Sequence, residues 1–240
     1  MSHQGFFITG TDTEVGKTLV SAALILKLQE QGLRAVGFKP VAAGLIELNG
    51  QLINDDIETL LKVSQRVDSQ LTTQDICPFI LPEPAAPHLV AKKHGIHLSK
   101  EIMLEKYEAL ANQYDIVLVE GAGGFLVPIN DNYTLGDLAT ELQLPVILVV
   151  NIKLGCINHS LLTVEAIQQS GLKVHGWISN MCQPATEFHH ENITSIEKML
   201  HLNYGVNMIG QIPYLENISK DKIYSDEILK TVFNLISIKI

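Results

Sequence analysis

The segment formed by residues 10–18, with the sequence GTDTEVGKT, constrains the fold of this chain more than any other feature. A short apolar run, residues 5–9, precedes it, and residues 17–31 continue with the spacing of a helix. Such a turn points backbone N–H groups at phosphate oxygens, while the helix N-terminus, Lys17 and Thr18 add positive potential and a possible Mg²⁺ ligand. The usual pattern has four residues between its first glycine and Gly-Lys-Thr, whereas this one has five. The segment, called the phosphate loop below, therefore predicts a modified P-loop.

Short apolar runs alternate with segments of helical period along the rest of the chain, which is typical of a parallel sheet covered by helices. Strands are predicted at 5–9, 35–38, 115–119, 146–150, 174–179 and 208–212. Helices are predicted at 17–31, from 55 onward, and at 99–112, 134–142, 158–170, 186–202 and 225–237. A polar loop is expected at 39–54, and the proline-rich segment 78–87 is expected to interrupt regular structure. The pattern predicts one doubly wound α/β domain of residues 1–240, with a mostly parallel sheet and a modified P-loop NTPase fold.

Composition and charge exclude several classes of protein. With 46% hydrophobic and 18% charged residues, the chain has enough apolar material for a core and too few charges for a disordered chain. A net charge of −9 argues against nucleic-acid or anionic membrane partners. The longest apolar runs, such as 146–150, fall far short of the roughly 20 residues that span a bilayer.

The cysteines and the first residues indicate a compartment. Cys77, Cys156 and Cys182 are odd in number and widely spaced, which favours reduced thiols over disulfides or a zinc site. Residues 1–9 lack the basic and apolar regions of a secretory signal. The sequence thus predicts a cytoplasmic protein.

Two carboxylates and a second lysine are expected at the same sheet edge as the phosphate loop. Glu120 ends the apolar run 115–119, Lys39 follows the second strand, and Asp56 lies near the start of the next helix. With Thr18, the two acids form a plausible Mg²⁺ site. The alternative ligand is Asp55; we prefer Asp56, because a helix that begins at Asp55 would use that residue as its N-cap. Taken singly, each residue also fits an ordinary cap or a solvated strand end.

Five sequence blocks, in order, strongly resemble the dethiobiotin synthetase family: residues 10–18, 39–41, 120–124, 145–150 and 153–159. The resemblance runs from the first strand to about Leu215. It implies an ATP-dependent ligase of biotin biosynthesis that joins 7,8-diaminononanoate (7,8-diaminopelargonate) and CO₂ or bicarbonate into a ureido ring. The implied route passes through a carbamate and a carbamic-phosphoric anhydride, and it releases ADP and phosphate.

The resemblance also assigns roles to residues of this chain. It implies that Lys39 and Lys17 are catalytic and that Thr18, Asp56 and Glu120 hold Mg²⁺. The implied ATP-binding residues are Glu14, Val15, Gly16, Lys17, Thr18, Leu19, Asp56, Glu120, Gly121, Ala122, Gly123, Asn180, Pro213, Tyr214 and Leu215. The implied substrate-binding residues are Thr11, Lys39, Ala43, Leu154 and Asn158.

The substrate site departs from the family pattern at one residue, and it implies a contribution from a second chain. Family members often have a hydroxyl residue where this chain has Ala43, so a hydrogen bond offered there by relatives is missing or is replaced by water or a backbone N–H. The segment containing Leu154 and Asn158 resembles the part of the family that reaches the neighbouring subunit's substrate. The resemblance therefore implies a homodimer.

Two other functions remain as alternatives. The first is another ATP-dependent ligase of cofactor biosynthesis on the same scaffold. The second is a nucleotide switch, in which hydrolysis controls association with a partner. A switch usually presents a basic DNA-binding patch or a membrane-binding amphipathic tail, and neither is evident in the sequence.

Overall fold

A central sheet of six strands organises the chain, and every neighbouring pair in it runs parallel. The computed structural model describes residues 5–216 and 223–238; the predicted extent of the domain, 1–240, includes residues outside these ranges. The strands of the described residues are β1 (Gly5–Gly10), β2 (Ala35–Phe38), β3 (Val41–Ala43), β4 (Ile46–Leu48), β5 (Gln51–Ile53), β6 (Phe79–Leu81), β7 (Ile116–Gly124), β8 (Pro128–Asn130), β9 (Tyr133–Thr134), β10 (Val146–Asn151), β11 (Val174–Asn180) and β12 (Met208–Ile212).

Helices cover both faces of this sheet. Within the described ranges they are α1 (Lys17–Glu30), α2 (Asp55–Ser64), α3 (Thr73–Ile76), α4 (Pro87–His94), α5 (Lys100–Ala111), α6 (Leu135–Leu142), α7 (Cys156–Gln169), α8 (His189–Tyr204) and α9 (Asp226–Asn234). None of these helices is long and apolar enough to cross a membrane.

The strand order is β12-β11-β10-β1-β7-β2, so the first strand lies inside the sheet. Alternate strand residues face opposite sides, and the core accordingly divides in two. Ile8 belongs to the cluster under α1, α2 and α9, whereas Phe7 belongs to the cluster under α5, α7 and α8. The predicted doubly wound architecture is confirmed. In such folds ligands bind beyond the carboxyl ends of the strands, where the order reverses.

Helix α1 is buried more completely than the sequence indicates. Leu19, Ala22, Ala23 and Leu26 predict one buried face, yet eleven of the fourteen residues are buried. The reason is that α2 and α9 pack against it in addition to the sheet. Lys27 in its last turn donates to the carbonyl oxygens of two C-terminal residues, at 2.9 and 2.5 Å. The C-terminal part of the chain thus fixes the helix that follows the phosphate loop.

The region between β2 and α5 differs from its prediction. The expected loop at 39–54 contains β3, β4 and β5, and the proline-rich segment 78–87 contains β6, which pairs with β3. Strands of three residues are too short to show a period, and this pairing joins distant parts of the sequence. Helix α4 was also not predicted, although Pro87 at its start and Gly95 at its end are typical helix boundaries.

Candidate active site

The phosphate loop connects β1 to α1 in a conformation that requires glycine at two positions. Gly16 is the N-cap of α1 and has φ +91°, and a Cβ there would collide with Nδ2 of Asn180. A Cβ on Gly10 would lie 2.5 Å from a methyl carbon of Val15 and 3.3 Å from Nζ of Lys17. Glu14 also has a positive φ, 57°. The loop therefore passes close to the lysine and to the end of β11, and little space remains for larger residues.

Lys17 places a cation at the N-terminus of α1. Its side chain is buried, and Nζ donates to the backbone oxygen of Asp12 at 3.0 Å. Burial, with a smaller contribution from Lys39, lowers the pKa of Lys17 to about 8. Positive charge is thus concentrated at a helix N-terminus, and this arrangement suits the phosphates of a nucleotide.

Thr18, Lys39, Asp56 and Glu120 form a second group beside the loop, called the carboxylate cluster below. The Thr18 hydroxyl lies 2.6 Å from Oδ1 of Asp56 and 2.8 Å from Oε1 of Glu120. Since a hydroxyl carries one hydrogen, it donates to one carboxylate at a time. The other oxygen of Glu120, Oε2, is buried and has no hydrogen-bond partner among the described residues. The cluster therefore offers several hard oxygen atoms beside β7, in which Glu120 is the fifth of nine residues, because the strand continues past the predicted end at Val119 to Gly124.

Lys39 balances the charge of these two acids. Its Nζ lies 2.6 Å from Oε1 of Glu120 and 2.8 Å from Oδ2 of Asp56, and the residue is 2% exposed. Burial alone would lower the pKa of Lys39, but the two carboxylates outweigh it and raise the pKa above its usual value. Burial likewise opposes ionisation of Asp56, yet Lys39 holds the pKa of that carboxyl below its usual range. Lys39 is therefore charged, in a position between the two predicted metal ligands.

The structure places Asp56, and not Asp55, in this cluster. The side chain of Asn54 caps α2 by accepting from the N–H of Ile57 at 3.1 Å, so the expectation that Asp55 would be the cap is wrong. Asp55 is the first helical residue and Asp56 the second. Asn54 also donates to the backbone oxygen of Gly44 at 2.7 Å, which ties the start of α2 to the strand carrying Ala43. Asn54 was not predicted, although asparagine before two acids is a typical N-terminal helix signal.

Asn180 lies directly behind the phosphate loop. Its Nδ2 donates to the backbone oxygen of Val15 at 2.8 Å and lies 3.3 Å from the sulfur of Cys182. Its Oδ1 is buried without a hydrogen-bond partner in the described part of the chain. Asn180 pairs with Ile212 at the end of β12, and residues 213–215 follow there. The predicted base-binding residues therefore share one edge of the sheet with the loop.

The predicted substrate residues occupy two places. Thr11 and Ala43 are partly exposed and belong to the phosphate loop and the end of β3. Leu154 and Asn158 lie at the start of α7, where Leu154 is 100% exposed and Asn158 is also exposed. Across residues 5–216 and 223–238, no hydrogen bond or ion pair connects this pair to Lys39. In a single chain the first two thus belong to the phosphate loop and to β3, and the other two lie on the surface at the start of α7.

One ion pair at the site was not predicted from the sequence. Oδ2 of Asp12 lies 2.8 Å from Nζ of Lys153, and Oδ1 of Asp12 accepts from the N–H of Thr13 at 2.8 Å. Each residue alone could be noticed in the sequence, because Lys153 begins one of the matched sequence blocks and Asp12 is an acid in an anion-binding loop, but their pairing could not.

Comparisons with known proteins agree with this fold and site. An AAA domain family model matches residues 4–222. The ATP-dependent dethiobiotin synthetase BioD 1 of Escherichia coli O157:H7 is 40% identical over 210 residues, which cover 88% of this chain and 90% of that protein.

Solved structures with low sequence identity share the fold. A ParA family ATPase from Chlorobium tepidum TLS superimposes with a TM-score of 0.59 at 16% identity, covering 96% of this chain and 97% of that chain. The MinD cell division protein of Aquifex aeolicus gives 0.53 at 13% identity, with 95% and 86% covered.

The parallel sheet, the glycine-bounded loop and the lysine at the start of α1 define a P-loop protein of the NTPase fold class. Similarity over most of its length then identifies the group within that class. The chain belongs to the dethiobiotin synthetase family, whose members are ATP-dependent ligases.

Proposed function

We propose that the protein is a cytoplasmic dethiobiotin synthetase, active as one domain of residues 1–240. It would convert 7,8-diaminononanoate, CO₂ and ATP into dethiobiotin, ADP and phosphate. The observation that carries this proposal is the contact of Lys39 with Asp56 and Glu120 beside the phosphate loop, in a chain 40% identical to a dethiobiotin synthetase.

The phosphate loop and the edge of β11 would bind ATP. Backbone N–H groups of residues 14–19 would receive the phosphates, together with the ammonium of Lys17. Residues 121–123 at the end of β7 would line the same side. Oδ1 of Asn180, which accepts no hydrogen bond from the described residues, and the amide nitrogen of the same side chain would face the adenine edge, which has both donors and acceptors, and residues 213–215 would flank the base.

Thr18, Asp56 and Glu120 fit Mg²⁺, because Mg²⁺ prefers hard oxygen ligands and Oε2 of Glu120 is a buried acceptor with no hydrogen-bond partner in residues 5–216 and 223–238. The described residues contain no group of three or more His, Cys, Asp and Glu side chains that could hold a metal. Oxygen atoms of the nucleotide would therefore complete the set of ligands. When bound, Mg²⁺ supplies positive charge that offsets the phosphate charge.

Lys39 would stabilise negative charge during the phosphoryl transfer. In this structure it balances Asp56 and Glu120. Thr18, Asp56 and Glu120 would hold a divalent cation that offsets the charge of the acids, and Lys39 would then be available to the γ-phosphate and the carbamate. Both reactants are anions, so Lys17 and Lys39 lower the repulsion between them and stabilise the charge of the transition state.

The reaction would run in three balanced steps. One amine of the substrate adds to CO₂ and loses a proton to water, which gives a carbamate. A carbamate oxygen then attacks the γ-phosphorus and displaces ADP, which gives the carbamic-phosphoric anhydride. The second amine attacks the carbonyl carbon, loses a proton, and expels phosphate as the ring closes.

Two chains would complete the substrate site. Thr11, Lys39 and Ala43 would contact the diamine or its carbamate. Leu154 and Asn158, exposed at the start of α7, would bind the substrate carboxylate of the neighbouring chain in a homodimer, where the N–H groups of a helix N-terminus suit an anion.

The test is the release of phosphate from MgATP with and without 7,8-diaminononanoate and bicarbonate, alongside mass detection of dethiobiotin. We expect release to require both co-substrates and to match product one for one. Lys39→Met should lower both signals about 1,000-fold, whereas Lys100→Met, which removes an exposed lysine paired with Glu141, should behave like wild type. Phosphate release that ignores the diamine would contradict the proposal.

A further inference from the structure

The phosphate loop carries two acids, Asp12 and Glu14, although its proposed ligand is an anion. Asp12 is held from three sides. Its Oδ1 accepts from the N–H of Thr13 at 2.8 Å, its Oδ2 pairs with Lys153 at 2.8 Å, and its backbone oxygen accepts from Lys17 at 3.0 Å. One residue of the loop thus connects two lysines that come from different parts of the chain.

Lys153 reaches Asp12 because of the strand order. It follows β10, which is the neighbour of β1 in the sheet, and Gly10 at the end of β1 pairs with Val149. The backbone of Lys153 is fixed as well, since its carbonyl oxygen accepts from the N–H of Cys156 at 3.0 Å in the turn that starts α7. The ion pair therefore joins the phosphate loop to the segment that contains Leu154 and Asn158.

The charge of Asp12 explains why such a partner is needed. The side-chain hydrogen bond from Lys153 is the largest of the effects that lower the pKa of Asp12, so the carboxyl is ionised at neutral pH. An ionised acid without a partner would repel the phosphates and attract the ammonium of Lys17 away from them. Lys153 cancels this charge while leaving the backbone contact between Asp12 and Lys17 intact.

We propose that Lys153 is a positioning residue for nucleotide binding: it neutralises Asp12 and thereby keeps the phosphate loop and Lys17 available to the phosphates. Lys153 also couples the loop to the start of α7. The inference rests on the proposed binding of MgATP by this loop, and it does not depend on the identity of the organic substrate.

The side chains of the pair are 39% and 46% exposed, and exposed ion pairs contribute little to stability, so single variants should fold. The measurement is the Kd of a non-hydrolysable MgATP analogue by calorimetry for wild type, Lys153→Met, Lys153→Arg, Asp12→Asn and the double variant. Asparagine keeps an oxygen that can accept from Thr13 while it removes the charge. Lys100→Met is the matched control, because its pair with Glu141 is also 2.8 Å long and has side-chain exposures of 41% and 36%.

We expect Lys153→Met to raise Kd about tenfold in the wild-type background and less than about twofold in the Asp12→Asn background, as coupled residues do. Lys153→Arg should stay within about threefold of wild type, since arginine keeps the charge. An equal loss in both backgrounds would overturn the inference, because Lys153 would then act on the nucleotide directly. No loss in either background would also overturn it. If wild type itself failed to bind the analogue, the proposed function would be overturned. If wild type binds and the variants show one of the two contrary patterns, only this inference is overturned.

Discussion

Two charged groups flank the phosphate loop, and they differ in their burial. On the side of β2 and β7, Lys39 and Glu120 are buried and share Asp56 as a third partner. On the side of β10, Asp12 and Lys153 are both substantially exposed. Removing one partner of a buried pair leaves an uncompensated charge in a low-dielectric environment, whereas water compensates an exposed charge. We therefore expect substitutions in the first group, which we propose to be catalytic, to lower stability as well as activity, and substitutions in the second to leave the fold intact.

The largest effect is expected for Lys39→Met. We expect turnover to fall about 1,000-fold, because phosphoryl transfer depends on such charges. The free energy of unfolding of the metal-free protein should fall by about 3–5 kcal/mol, since Asp56 and Glu120 lose their counter-charge. Chemical denaturation with and without Mg²⁺ measures the free energy of unfolding. Mg²⁺ should raise it more in the variant than in wild type. If the stability of Lys39→Met equals that of wild type, the buried group does not support the fold more than the exposed pair does.

The adjacent acids of α2 provide a matched pair of variants. Asp56→Asn should lower turnover about 100-fold, because the residue contacts both Thr18 and Lys39. Asp55→Asn should change it less than about twofold, because Asp55 is outside the carboxylate cluster. The Mg²⁺ concentration that gives half-maximal turnover is the measurement that separates them. Equal effects at both positions would contradict the assignment of Asp56.

Much of this site could be predicted from the sequence, because contiguous residues specify it. The phosphate loop and α1 follow one another along the chain, Asp56 lies at the start of α2, and Glu120 directly follows a recognisable apolar run. The bridging position of Lys39 could not be predicted, since it depends on how β2, β7 and α2 pack together.

The pairing of Asp12 with Lys153 depends in the same way on the order of the strands.

The pairing of β3 with β6 could not be predicted for a different reason, because each strand is too short for its sequence to reveal a period.

Gly16→Ala tests the loop between the two groups. Alanine at φ +91° is strained, and its Cβ would meet Asn180, so we expect a loss of about 1–2 kcal/mol in stability and at least tenfold in nucleotide affinity. Gly32→Ala is the control, because Gly32 has a similar φ of +85° and no heavy atom of the described residues lies within 4 Å of the added carbon. It should lose stability and keep nucleotide affinity. Loss of affinity in both variants would show that strain alone is responsible.

The smallest effect is expected for the stability of Lys153→Met. Its free energy of unfolding should differ from that of wild type by less than about 0.5 kcal/mol, as for other exposed pairs. Urea denaturation of this variant beside Lys100→Met provides the measurement. A loss as large as that of Lys39→Met would mean that the exposed pair also supports the fold.

The most direct test of the proposed chemistry follows an oxygen atom. In a single turnover started with C¹⁸O₂ and saturating MgATP and diamine, a carbamate oxygen bonds to the γ-phosphorus and leaves with the phosphate when the ring closes. Mass spectrometry of the released phosphate should therefore find one ¹⁸O atom per molecule of dethiobiotin formed. Phosphate without ¹⁸O would mean that water attacks ATP, and it would contradict a phosphoryl transfer to carbamate at Lys17 and Lys39.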